Sequence, residues 1–271
     1  MISFVGAGPG AEDLITLRGL DRLSRADIVI WASSLVPEGI LRHAREGVEL
    51  HDSSGMTLED VLAIYEGSVG KNVVRLHSGD PSIYGAIAEQ IEYCETRGMQ
   101  FEVVPGVTSA SAASAVLARE LTVPGKAQSV VYTRLMGKTA ASVPDGESVG
   151  AYARVGGTLA IFLSGAQPGE LQKELLCDGS KFDTQTPAAV LVRVTWPDEQ
   201  VVMTTVGELK EAMDSVGARR TVLVIVGDAL SGQGELRSHL YSPSFAHRYR
   251  KRSKVGETVG RPTNRQKRVT D

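Results

Sequence analysis

Apolar and polar positions alternate with two different periods along the first 120 or so residues. Short apolar runs, "ISFVGAG", "DIVIWA", "NVVRLHSG" and "FEVVPG", read as buried strands. Between and after them, helical spacing predicts helices over about residues 16–25, 58–66 and 81–96, and a helix of small residues over about 109–118. This is the rhythm of a parallel sheet covered by helices. The Pro124-Gly125 pair in "LTVPGK" interrupts it, which places a boundary between a domain at 1–123 and a second at 124–247. The second half gives five strands with fewer helices, in "AQSVVYTR", "TLAIFLSG", "PAAVLVRVTW", "EQVVMTTVGEL" and "RTVLVIVGDAL". Within it "VTWPDEQVV" reads as a hairpin, so a mixed sheet is expected there. The fold class is α/β, with two α/β domains, the first with a mainly parallel sheet.

Three Gly/Pro corners, "GAGPG", "HSGDPSIYG" and "VVPGVTSA", each follow a strand of the first domain. In an open sheet such loops share one edge and form a ligand crevice, here one walled largely by backbone. The middle corner, Ser78-Gly79-Asp80-Pro81, also has the local form of a helix start, with Asp80 as N-cap and Pro81 at the first helical position. A dinucleotide reading of Gly6-Ala7-Gly8-Pro9-Gly10 is disfavoured. Pro9 removes an amide donor, and Trp31-Ala32-Ser33-Ser34 stands where a ribose-binding acid belongs. "GKT" at 137–139 lacks the P-loop glycine, because Tyr132 occupies that position. No GxSxG elbow and no close Cys/His pair supports a covalent nucleophile. A backbone-walled pocket of this kind suits a cofactor that brings its own reactivity, and S-adenosylmethionine fits. Its sulfonium needs no metal and can be met by carbonyl oxygens through weak CH···O contacts.

Length and composition sharpen this picture. With 271 residues, 42% apolar and 23% charged, two soluble domains of ordinary size are expected. No apolar run approaches the roughly 18 residues of a spanning helix, and "MISFV" is too short for a signal-peptide core, so a cytoplasmic protein with no membrane partner is expected. Cys94 and Cys177 stand far apart, and the five histidines form no ligand-spaced pair, so no metal is expected. Residues 248–271 carry nine Lys and Arg against two acids, which makes that tail +7 and the remainder −10. The tail reads as a basic, disordered extension; the acidic body argues against nucleic acid as the main partner.

The blocks "FVGAGPGAEDLITLRG", "RLHSGDPSIYGAIAEQI" and "VVPGVTSA" together resemble the signature loops of the tetrapyrrole S-adenosylmethionine methyltransferases, over about residues 2–249. Further blocks, "WASSLVPEGIL", "DSSGMTLEDV", "VTWPDEQ" and "LYSPSFAHRYR", are similar to the branch that methylates carbon 11 of precorrin-4 or cobalt-precorrin-4. The resemblance implies cofactor contacts at Pro9, Ser78, Gly79, Asp80, Ile83, Thr108 and Ser109, with Leu163 and Val194 in the second domain. It also implies S-adenosylmethionine in the cleft between the two domains, a tetrapyrrole in an adjoining trough and a homodimer. The uroporphyrinogen-III branch is disfavoured, since Ala32 and Asp52 stand where that branch carries an Asp and a Lys. For the substrate's carboxylates the basic candidates are Arg134, then Lys138 and Arg119. Another tetrapyrrole C-methyltransferase of the same pathway, or a non-catalytic tetrapyrrole-binding protein, stays open as an alternative.

Overall fold

The computed structural model describes residues 1–135, 143–232, 240 and 245–252. Five strands form a wholly parallel first sheet: β1 (Ile2–Gly6), β2 (Ile28–Trp31), β3 (Glu49–Asp52), β4 (Val73–His77) and β5 (Phe101–Val104). Their spatial order is β3-β2-β4-β1-β5. β1 is buried along its whole length because it lies between β4 and β5 with apolar layers on both faces. One layer gathers Val5, Val29, Val74 and Leu76 with Leu23. The other gathers Phe4, Ile28, Ile30 and Val73 with Val61, Tyr65 and Cys94.

Four helices accompany this sheet: α1 (Leu17–Ser24), α2 (Leu58–Glu66), α3 (Ala88–Thr96) and α4 (Ser109–Val116). Local chemistry starts three of them. Thr16 accepts from the Gly19 amide, Thr108 accepts from the Ala110 amide, and Thr57 and Asp60 form a reciprocal capping box.

Two expectations need correction. The third helix begins at Ala88 and not at Pro81, and its N-cap Ile87 makes no side-chain bond, so Asp80 does not cap a helix. The reason is the tight fold of 81–87: Tyr84 and Ala86 take φ of 55° and 50°, and a Cβ on Gly85 would lie 2.1 Å from the Pro81 carbonyl oxygen. Helical backbone cannot pass through such geometry. Edge strand β3 adds a fifth strand to the four that the apolar runs predict, because Glu49-Leu50-His51-Asp52 is mostly polar and gives no apolar run.

The second sheet is mixed, as the hairpin pattern predicts. It comprises β6 (Val130–Arg134), β7 (Thr158–Phe162), β8 (Pro187–Val192), β9 (Gln200–Thr205) and β10 (Val222–Val226) in the order β6-β7-β10-β8-β9. Only β6 and β7 run parallel; β10 is antiparallel to both β7 and β8, and β8 to β9. Helices α5 (Val149–Val155), α6 (Pro168–Leu175) and α7 (Leu209–Ser215) bury Val149, Leu171, Leu175 and Leu209 on one face of this sheet. The opposite face receives α4. Ala110, Ala112 and Ala113 pack on Ala160, Ala189, Leu191, Leu223 and Ile225, so the small residues of that helix let the two domains approach closely.

Candidate functional site

Because β1 lies between β4 and β5, the loops leaving these three strands sit side by side at their carboxyl ends. They are locked by main chain. Gly79 donates to Gly8 at 2.7 Å and Gly8 donates back to Gly79 at 3.3 Å, while Ala7 donates to the His77 carbonyl at 2.8 Å. Two glycines are required by contact. A Cβ on Gly106 would fall 2.0 Å from the Gly79 carbonyl oxygen, and one on Gly6 would fall 2.5 Å from the Gly106 Cα. Gly79 has a different reason: its φ is +67°, while a Cβ there would meet nothing nearer than 3.7 Å.

Asp80 joins two of these loops. Its Oδ2 accepts from the Gly106 amide at 2.9 Å, and its Oδ1 accepts from the Ser82 amide at 2.8 Å and from the Ser82 hydroxyl. Burial pushes this carboxyl upward, but the bonds from Ser82 and Gly106 together hold it below the ordinary aspartate value. His77, at the end of β4, is pushed down to about 3 by burial and by the nearby Arg75 charge, so it is neutral at physiological pH.

The first loop is clasped by the second domain. The Trp196 indole donates to the Pro9 carbonyl at 2.9 Å, and the Ala11 amide donates to Thr195 Oγ1 at 2.9 Å. A Cβ on Gly10 would fall 2.3 Å from Trp196 Cδ1, so the indole rests directly on that glycine. The Arg193 guanidinium lies 4.3 Å from the Trp196 ring centre and pairs with Asp198 at 2.6 Å.

These elements enclose a cavity of about 320 Å³ between the two domains. All the positions assigned to the cofactor by resemblance line it: Pro9, then Ser78, Gly79, Asp80 and Ile83, then Thr108 and Ser109, and on the far wall Leu163 and Val194. The far wall carries residues that sequence reasoning missed, among them Phe162, Arg193, Trp196, Arg219, Arg220 and Thr221, while Leu35 and Tyr84 complete the near wall. Four lining residues other than glycine hold positive φ: Tyr84, Leu163, Arg193 and Thr221. Strain in such residues costs of order 1–3 kcal/mol each and collects at functional sites.

The expected carboxylate partners fare differently. Arg119 is not at the cavity; its Nε donates to the Leu230 carbonyl at 2.9 Å and its Nη1 to the Ala118 carbonyl at 3.1 Å, a role in holding chain to chain. Arg134 ends β6 beside Phe162, outside the cavity lining, with its charge close enough to Tyr84 to oppose the upward push of burial on that phenol. Lys138 lies outside the described residues. The cations at the cavity are Arg193, Arg219 and Arg220. Arg193 stands at the end of β8, and the antiparallel course of β10 brings Arg219 and Arg220, just before its start, to the edge where β7 and β8 end.

The lining holds no histidine, cysteine or lysine among the described residues, and its one carboxylate, Asp80, is committed to Ser82 and Gly106. The arrangement can therefore orient and desolvate a bound molecule, but it has no activated nucleophile.

Comparison with known proteins agrees with this chemistry. Residues 1–210 match the family of Tetrapyrrole (Corrin/Porphyrin) Methylases. The cobalt-precorrin-4 C(11)-methyltransferase of Methanocaldococcus jannaschii is 40% identical over 255 residues, covering 93% of this chain and 97% of that protein. Among solved structures, the cobalamin biosynthetic enzyme cobalt precorrin-4 methyltransferase, CbiF, superposes with a TM-score of 0.80 at 40% identity over 84% of this chain and 95% of its own. The uroporphyrin-III C-methyl transferase of Thermus thermophilus, complexed with S-adenosylhomocysteine, gives a TM-score of 0.70 at 28% identity, covering 85% of this chain and 98% of that one. A family match over more than three quarters of the sequence, and a fold shared with these enzymes along nearly their whole length, place the chain: it belongs to the tetrapyrrole (corrin/porphyrin) methylases.

Proposed function

We propose that this protein transfers a methyl group from S-adenosylmethionine to carbon 11 of precorrin-4, or of cobalt-precorrin-4, as a step of cobalamin synthesis. The observation that carries the reading is the convergence of Pro9, Ser78, Gly79, Asp80, Ile83, Thr108, Ser109, Leu163 and Val194 on one interdomain cavity. The activity of the Methanocaldococcus jannaschii relative at 40% identity supports the choice of substrate.

The lining fits the cofactor. Main-chain corners at Gly79 and Thr108 alternate with the apolar side chains of Ile83, Leu163, Val194 and Leu223, a mixture suited to a nucleoside joined to a sulfonium. When bound, S-adenosylmethionine supplies an electrophilic methyl group. Ser78, Gly79, Asp80, Thr108 and Ser109 hold and orient it on the near wall, and Leu163 and Val194 exclude water on the far wall. The nucleophile is a carbon of the macrocycle, so alignment is the main demand on the protein. This accounts for a lining without an acid–base pair among the described residues. We further take 1–123 and 124–247 as the domain limits, supported by the absence of regular elements between Val116 and Val130, and 248–271 as a basic tail whose residues from 253 on lie outside the described ones. A cytoplasmic homodimer completes the proposal; no helix among the described residues is long and apolar enough to cross a membrane.

Product analysis tests the reading. The protein is incubated with S-adenosylmethionine and either metal-free or cobalt-loaded precorrin-4, and the product is weighed by mass spectrometry and its new methyl located by NMR. One added methyl at carbon 11, with release of S-adenosylhomocysteine, is expected. A methyl at another carbon would establish the sister activity, and binding of both ligands without transfer would establish a carrier.

A further inference from the structure

Large apolar side chains exposed beside a cleft call for an occupant. Tyr84 is 46% exposed, Tyr132 37% and Leu163 69%. They are not scattered. The Phe162 ring centre lies 5.4 Å from that of Tyr84 and 5.7 Å from that of Tyr132, both in tilted or edge-on contact. The chain of rings crosses the cleft, since Tyr84 comes from the loop after β4 whereas Phe162 and Tyr132 come from β7 and β6. In register Tyr132 lies opposite Ala160, whose side chain belongs to the seam under α4; edge strand β6 carries Tyr132 on that same face, with the cation Arg134 two residues along. Tyr84 and Phe162 line the cavity, but Tyr132 does not, so the ring chain begins inside the cofactor site and runs out of it. Tyr84 reaches this place through a φ of 55°, a strained backbone for a bulky residue.

We propose that Tyr84 and Tyr132, joined through Phe162, form an aromatic ledge on which the flat face of the macrocycle rests, and that its stopping point on this ledge selects the ring carbon presented to the methyl donor. This rests on the functional reading above. Among the described residues the lining has no acid–base pair with which to distinguish one ring carbon from another, so the choice falls to shape. A flat conjugated face stacks on aromatic rings, and an apolar ledge ending in a cation suits a planar ligand with carboxylates on its rim. Tyr84 and Tyr132 are thus positioning residues.

The test compares the parent with Tyr132→Ala, Tyr132→Phe, Tyr84→Ala and Tyr84→Phe, using S-adenosylmethionine and precorrin-4. KM and kcat are measured for the macrocycle, S-adenosylhomocysteine affinity by calorimetry, and methyl position by NMR. Tyr132→Ala is expected to raise the macrocycle KM about tenfold while S-adenosylhomocysteine affinity moves less than about twofold, and Tyr132→Phe to restore KM. Tyr84→Ala is expected to yield some product methylated away from carbon 11, and Tyr84→Phe to suppress it. The ledge is overturned if both alanine variants keep the parent KM and methylate only carbon 11, or if Tyr132→Ala weakens S-adenosylhomocysteine as much as the macrocycle. A parent that binds S-adenosylhomocysteine but never methylates carbon 11 would instead remove the functional reading, and the ledge with it.

Discussion

On the first-domain side of the cavity left-handed backbone falls on Gly79 and on Gly8, its main-chain partner, with Tyr84 as the one bulky exception among the lining residues, whereas Leu163, Arg193 and Thr221 carry it on the second-domain side. The same conformation is thus built from opposite materials. On the first side the two glycines tolerate positive φ without strain, and the three loops interlock through their main chains at Gly6, Gly79 and Gly106. On the second side each residue resists it by about 1–2 kcal/mol, and the antiparallel pairing must hold it, as in the 2.9 Å bond from the Arg193 amide to the Thr221 carbonyl. A protein keeps bulky residues in such backbone when it needs their side chains there. The near side is mainly a main-chain wall and the far side a side-chain wall; in the proposed function the first grips the cofactor and the second borders the substrate.

The largest effect should come from breaking the main-chain wall. In Gly106→Ala the new Cβ would meet the Gly79 carbonyl oxygen at 2.0 Å and the Gly6 Cα at 2.8 Å, and backbone cannot swing aside. A loss of about 3 kcal/mol in chemical denaturation is expected, with at least about tenfold weaker S-adenosylhomocysteine binding. Parental values for both would show that the three loops can slide apart. Next in size is the clasp between the walls. Trp196→Ala removes the indole from Gly10 and leaves the Pro9 carbonyl without its donor, for a loss of about 2 kcal/mol. Trp196→Phe should recover part of it, since packing returns without the hydrogen bond. Equal losses in the two variants would assign the whole effect to that bond.

The contrast between the walls also explains what could be read from the sequence. β1, β2, β4 and β5 announce themselves as apolar runs, and the near wall does so through its glycines and prolines, because left-handed corners and close backbone contacts restrict the residues allowed. β3 stayed hidden because a solvated edge strand needs no apolar run. The false helix start at Asp80 has a physical origin too. The Asp-Pro pair is a sound local signal, but packing of 81–87 against the cleft redirects the Asp80 carboxylate to Ser82 and across to Gly106. Arg193, Arg219 and Thr221 carry no compositional mark at all. Arg193 directly follows β8, but Arg219 and Thr221 reach the same edge because β10 runs antiparallel to β7 and β8, a property of the whole sheet that no short stretch encodes.

A smaller and opposite effect should sharpen the comparison on the side-chain wall. Thr221 is β-branched and holds φ of 52°, so Thr221→Gly relieves strain while adding chain entropy to the unfolded state. The net expectation is a stabilisation of about 0.5 kcal/mol, where the same change within an ordinary strand destabilises. A destabilisation of ordinary size in thermal melts would mean that the Thr221 backbone is not strained, and the distinction between the walls would then rest on Leu163 and Arg193 alone.

The smallest effect concerns Asp80 and appears only in acid. In the folded protein the Ser82 and Gly106 donors outweigh burial and hold the Asp80 carboxyl below its ordinary value of about 3.9. As pH falls, the unfolded chain therefore takes up this proton before the folded one does. The resulting contribution is fully present above the ordinary value, is flat at neutral pH, and is lost as pH falls through the lower folded value. Asp80→Asn removes the titration and replaces one acceptor oxygen with an amide that cannot accept from the Gly106 amide or from Ser82. The variant should accordingly melt below the parent at pH 7, and the gap should narrow as pH is lowered from about 4 toward 2, because the parent alone loses its carboxylate. Melting curves of both proteins across that range decide the matter. A gap that stays constant would mean that the hydrogen bonds to Asp80 do not depend on its charge, and that the main-chain wall is held by glycine contacts without help from the carboxylate between its loops.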